Sequence, residues 1–243
     1  MSHLTWPAAP PDLEIAAAEV HVWAARLALP PLRLAELAAT LDAGERERAA
    51  RFLQPLHRDR FIAAHGWLRQ LLGRCLLADP ASLRFSAGPQ GKPALPASAA
   101  LQFNLAHSGE VALIALARGR AVGVDVEQVR AMPDAEAIAA RFFSTAEQAA
   151  LAALPPAGRN AAFFNLWTRK EAWIKATGAG LSYPIAQLTV ALGAGDDDCL
   201  LSAGPDPATP SQWRLRSLDA APGYAAAAAA QGRDWSLHLW RTI

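Results

Sequence analysis

The stretch Gln102–Glu127, QFNLAHSGEVALIALARGRAVGVDVE, reads as three strand runs cut by two turns. QFNLAH and EVALIALA are separated by Ser108-Gly109, and Arg118-Gly119-Arg120 delivers the chain into AVGVDVE. Connections this short join antiparallel neighbours, because a parallel crossover needs roughly a dozen residues. Outward from these strands the pattern turns helical. Arg58–Leu77 sets Phe61, Ile62, Leu68, Leu71, Leu72 and Leu76 at helical spacing and is closed by Pro80. On the other side, Asp134–Arg141 and Ser144–Leu154 read as helices, the second opening on Ser144-Thr145-Ala146-Glu147 in the form of a capping box. A longer helix over Arg159–Thr177 is stopped by Gly178 and Gly180.

Nearer the N-terminus, Glu19–Leu29 alternates as a strand up to Pro30-Pro31, and helical material from Leu32 to Leu53 breaks near Asp42 and Gly44. LRFS before residue 87 is a further β-type run, and LTVAL, QWRLRSL, GYAAAAAA and WSLHLW are strand candidates after Gln187. Each half thus holds helices followed by antiparallel-type strands, without the βαβ rhythm of a doubly wound sheet. The fold class is α+β, and the weak composition shift at 128–133 is the boundary candidate.

Composition sets the outer limits. The 243 residues are 52% hydrophobic and 19% charged, enough for a full core in one large domain or two small ones. Lysine and arginine number 23 against 22 acidic residues, so a net charge of +1 creates no field for nucleic acid or an anionic membrane. Cys75 and Cys199 stand alone, without zinc-site spacing or a disulfide framework, and a reducing cytoplasm is the expected location. No run approaches the ~20 apolar residues of a membrane span, and MSHLTWPAAPPDLE lacks the pattern of a secretory signal.

Four clusters can carry chemistry. In GVDVE, Asp125 and Glu127 project to one strand face, where two carboxylates repel unless protons or a hard cation such as Mg²⁺ stabilise them; a solvated strand face is the plainer explanation. Trp167, Glu171 and Lys175 share one stripe of the long helix, which a simple i,i+4 ion pair also explains. His107-Ser108-Gly109 ends a strand in a turn whose N–H groups suit a phosphate oxygen. Lys92 in Gly91-Lys92-Pro93, with Arg48, Arg51 and Arg69, supplies scattered positive charge, and no P-loop or dinucleotide fingerprint is present.

The order GKPAL, FNLAHS, GVDVE, RFFSTAE, LWTRKEAWIKATGAGLS, within matching segments that span roughly Arg48 to Ser182, resembles the 4′-phosphopantetheinyl transferases that activate nonribosomal peptide and polyketide synthases. The resemblance implies a monomeric holo-[acyl-carrier-protein] synthase of two similar α+β subdomains, 1–121 and 122–243, with the site in the cleft between them. It implies transfer of the phosphopantetheine arm of coenzyme A to a serine of an acyl or peptidyl carrier protein, with release of adenosine 3′,5′-bisphosphate. Asp125, Glu127 and Glu171 would be the Mg²⁺ carboxylates. Lys175 would meet the pyrophosphate, His107 and Ser108 the phosphates, Lys92 and Pro93 the nucleotide, and Arg48 and Arg69 the 3′-phosphate. Asp125, Glu171 and Lys175 form the catalytic set, with Glu171, Glu147 or a metal-bound water as the base. Carrier docking falls on 128–143, with Arg130, Met132, Arg141, Phe142 and Phe143. A carrier-protein or nucleotide-binding module without catalysis is the alternative.

Overall fold

In a computed structural model, which describes residues 4–11, 13–88, 90–192, 199–204 and 209–242, the chain forms four layers in the order helix, sheet, sheet, helix. β1 (Glu19–Arg26) leads into α1 (Pro31–Ala39), α2 (Ala43–Ala50) and α3 (Pro55–Leu76). Pro31 and Pro55 sit in the first turns of their helices, where a missing N–H costs nothing. Asp42 caps α2 reciprocally with Glu45. The LRFS run forms no strand before Ser86: β2 (Ser86–Ala87) pairs with β3 (Pro93–Ala94) around the Gly91-Lys92 turn.

The hairpin β4 (Leu101–Ser108) and β5 (Val111–Arg118) then joins β1 in a sheet of order β11-β1-β5-β4, whose last member is β11 (Ser236–Arg241). β5 is buried along nearly its whole length because both of its faces are covered. One face meets α1 and α3 through Trp23, Trp67 and Leu72, and the other meets the second sheet through Val22, Leu113 and Val124. That double coverage is why EVALIALA is apolar without alternation.

β6 (Val122–Gln128), β9 (Trp213–Leu218) and β10 (Tyr224–Gln231) form the second sheet, ordered β6-β10-β9 and antiparallel throughout. Between them in sequence lie α4 (Ala135–Phe142), α5 (Thr145–Ala152), α6 (Pro156–Thr177) and the small pair β7 (Leu188–Val190) and β8 (Leu200–Ala203). Alanine is a weak strand former, yet Ala225–Ala230 make the central strand. Ala226, Ala228 and Ala230 face the first sheet while Ala225, Ala227 and Ala229 face α6, so small side chains on both surfaces bring the layers close. A cut at 121/122 falls between β5 and β6, but β11 lies beside β1, in parallel, although it comes last in the chain.

Candidate active site

Glycine builds the site. A Cβ on Gly123 would lie 2.2 Å from the Ala172 carbonyl and 2.3 Å from the Ala176 nitrogen, so α6 rests directly on β6. Val122, Val124 and Val126 point into the core between the sheets, leaving Gly123, Asp125 and Glu127 on the surface that meets α6. One stripe of that helix, Trp167, Glu171 and Lys175, is half-buried at the margin of this contact.

Asp125 is 4% exposed, and its Oδ1 accepts a 2.6 Å hydrogen bond from the Lys175 ammonium. Its Oδ2 is buried with no hydrogen-bond partner among the described residues. Burial pushes the carboxyl up to about 7; Lys175 opposes this rise, and the like charges of Glu127 and Glu171 add to it. Glu171 is raised as well, again chiefly by burial and against the pull of Lys175. An orphaned carboxylate oxygen with two further carboxylates nearby is a donor set suited to a hard cation. The three carboxylates do not yet close into one coordination sphere. Among the described residues, the trio whose ligand atoms all lie within 4.8 Å is Glu19, His21 and His238. There the Trp240 indole donates to His21 Nδ1 at 3.0 Å, and Glu19 lies 2.9 Å from Nε2. An indole N–H can only donate, so the imidazole proton sits on Nε2 and faces Glu19; that cluster is a hydrogen-bonded relay.

Ser108 orients Glu127. Its hydroxyl donates to Glu127 Oε2 at 2.7 Å and accepts from the Gln128 N–H at 3.1 Å. Asn104 aligns the strands that carry these residues: its buried side-chain oxygen accepts from the Val124 N–H at 2.9 Å, tying β4 to β6 where no ladder joins them. Sequence reading missed Asn104, although a polar residue in LQFNLAHS at a position flanked by apolar ones was the available signal.

His107 is exposed beside Ser108. Loss of solvation around the ring and the nearby charges of His65, Lys175, Arg60 and Arg48 all pull its pKa down, so the histidine stands in a basin of positive groups. Arg48 is exposed, with its guanidinium 5.3 Å from the Phe61 ring, and His65 stacks on the same ring at 4.0 Å. Arg60 and His65 were not foreseen; only the fold brings α3 to His107.

Arg69 departs from expectation. It is fully buried, donating to Asp42, Glu45 and the carbonyls of Pro80 and Leu83, so it braces α2 against α3 and offers nothing to a phosphate. Its place on the inner face of α3 follows from the helical period, which puts it among Leu68, Leu72 and Gly73. Lys92 reaches the other layer, donating to the carbonyls of Val122 at 2.9 Å and Ala176 at 3.2 Å, and burial lowers its pKa to about 8. Pro93 is exposed on β3.

Glu147 is not at the site. It closes the capping box of α5, then forms a buried pair with Lys170 at 2.5 Å and accepts from the Val190 N–H at 2.8 Å. Of the segment after β6, Phe143 is core at 1% exposure, whereas Phe142 is half-buried and Arg130 exposed. No helix among the described residues is long and apolar enough to cross a membrane.

An α+β scaffold that holds clustered carboxylates and a lysine beside a positive basin is suited to a phosphate-transferring enzyme. A family model of the 4′-phosphopantetheinyl transferase superfamily matches residues 121–229. The 4′-phosphopantetheinyl transferase HetI of Nostoc sp. (strain PCC 7120) is 38% identical over 239 residues, covering 97% of this chain and 98% of that protein. The 4′-phosphopantetheinyl transferase Sfp of Bacillus subtilis (strain 168) is 31% identical over 191 residues, covering 79% and 82%. The chain therefore belongs to the 4′-phosphopantetheinyl transferase superfamily and is an enzyme of that class.

Proposed function

We propose that the enzyme transfers the phosphopantetheine arm of coenzyme A to a serine hydroxyl of an acyl or peptidyl carrier protein, with Mg²⁺ held by Asp125, Glu127 and Glu171. The observation that carries this reading is the buried, unpartnered Oδ2 of Asp125 among like charges. When bound there, Mg²⁺ supplies charge neutralisation to the diphosphate of coenzyme A.

The remaining work falls to the chain's own groups. Lys175, half exposed above Asp125, turns its ammonium to the diphosphate and steadies the charge on the departing phosphate. Arg48, Arg60, His65 and His107 give the nucleotide's phosphates an electropositive seat. Lys92 keeps β6 and the end of α6 together beneath it. Glu171 takes the serine proton, through a carboxylate oxygen that the cation does not engage, as the serine oxygen bonds to phosphorus. The phosphorus–oxygen bond within the diphosphate breaks, and adenosine 3′,5′-bisphosphate leaves. Engagement of Glu147 with Lys170 supports Glu171 over Glu147 in this role.

We also infer that the enzyme acts as a monomer, because every residue assigned to the site comes from one chain, α2, α3 and β4 on one side and β6 and α6 on the other. The acidic carrier docks on the segment after β6, where Arg130, Met132 and Arg141 flank Phe142. Incubation with coenzyme A, Mg²⁺ and several apo carrier proteins tests the reading by mass spectrometry. Gain of one phosphopantetheine mass, abolished by chelation, is expected; no gain with any carrier overturns it.

A further inference from the structure

At the edge of the first sheet away from β4, Trp23, Trp67, Arg33, Gln70, Arg74 and Arg241 line a cavity of about 260 Å³ between β1, α3 and the end of β11. A second cavity of about 260 Å³ adjoins it, sharing Arg241 and Thr242. No acidic residue is among the described residues lining either one. Arg33 is paired with Glu36, whereas Arg74 and Arg241 have no acidic partner among the described residues, an arrangement suited to an anion.

Their bonding is incomplete. Arg33 lies flat over Trp67, 4.5 Å from the ring centroid, and is held by Glu36 and Gln70. Among the described residues, Arg74 bonds the carbonyls of Pro10 and Pro11, which do not neutralise its charge. Arg241 is exposed, and no hydrogen bond or ion pair joins its guanidinium to another described residue. Trp23, 2% exposed, carries a buried indole N–H with no acceptor among the described residues. Apolar atoms of Trp23, Trp67 and Leu71 border the cavity, and arginine forks bind carboxylate or phosphate oxygens in pairs. The volume lies just below the roughly 300–1,000 Å³ of ligand sites and suits a small molecule better than a whole nucleotide. β1 and β5 separate this cavity from β4, which carries His107.

We propose that this cavity is a second ligand site, distinct from the catalytic cleft, for a small oxyanion, carboxylate or phosphate, attached to an apolar group. 2-Naphthoate and 2-naphthyl phosphate are the probes, titrated into the full chain by calorimetry and by quenching of tryptophan fluorescence. At least one binds with a Kd below about 1 mM, neutral 2-naphthylmethanol binds at least tenfold more weakly, and the tighter anion identifies the oxyanion. Arg241→Gln and Arg74→Gln, both at exposed positions outside the catalytic site, each weaken the anion at least tenfold, and saturating coenzyme A leaves the affinity unchanged. No binding of either anion, equal binding of the neutral alcohol, unchanged affinity in both variants, or displacement by coenzyme A overturns the proposal.

Discussion

Helix α6 carries two lysine–carboxylate pairs, their lysines five residues apart, and they are built in opposite ways. Lys170 and Glu147 are both sealed from solvent, and each has further partners: Lys170 donates to the Leu188 carbonyl, and Glu147 accepts from the N–H groups of Val190 and Ser144. Lys175 and Asp125 meet at a similar distance, but Lys175 is part open and Asp125 keeps one oxygen bare. A buried charge is tolerable when its hydrogen-bonding capacity is filled. Where it is left unfilled, as at Asp125, a proton or a bound cation can complete it. The first pair is architecture, and the second fits the metal site proposed above.

Breaking each pair should separate these roles. Glu147→Ala strands Lys170 in the core and also removes a helix cap; chemical denaturation should register a loss of about 3–5 kcal/mol. A loss under 1 kcal/mol would put the pair on the surface instead. Asp125→Ala should slow carrier modification at least 100-fold, about 2.7 kcal/mol in transition-state terms, with no loss of thermal stability. Near-normal turnover at ordinary Mg²⁺ would remove Asp125 from the metal set.

A pH series sharpens the contrast. Asp125 ionises at about 7 in the folded chain against an ordinary 3.8. Between those values the unfolded chain has lost the proton that the folded chain retains. Metal-free protein is accordingly stabilised by this group below about pH 4, and that contribution fades as pH rises to about 7, by up to about 1.4 kcal/mol per pH unit. Asp125→Asn should flatten this part of the stability curve; an unchanged slope would assign it to other groups. Smallest of the effects, Ser108→Ala should release Glu127 and cost about 1 kcal/mol in transfer, roughly fivefold in rate, with a higher Mg²⁺ requirement. A rate unchanged at limiting Mg²⁺ would leave the hydroxyl a purely structural link.

The sequence is most legible where period and chemistry coincide. GVDVE displays its two faces without a structure, and Ser144-Thr145-Ala146-Glu147 announces a helix start that the fold contains. What stays hidden is the second use of a residue. Glu147 reads as a cap and a spare base, but its burial against Lys170 depends on α5 packing beside α6, a contact between elements. Arg69 reads as surface charge because arginine usually is; the helical period turns it inward, and the acids Asp42 and Glu45 at the start of α2 make its burial tolerable. Arg60 and His65 acquire meaning from their approach to His107, more than 40 residues along the chain. β8 escaped notice because four residues carry too little pattern to mark a strand.

The parallel pairing of β11 with β1 also governs how the molecule comes into being. Emerging from the ribosome, β1, β4 and β5 can align early, but one flank of their sheet stays open until Ser236–Arg241 has been synthesised. An unpaired strand edge invites pairing with other chains. Nascent chains stalled before residue 236 should therefore be the most prone to aggregate, and β11 acts as a built-in closing seam for the half that was made first.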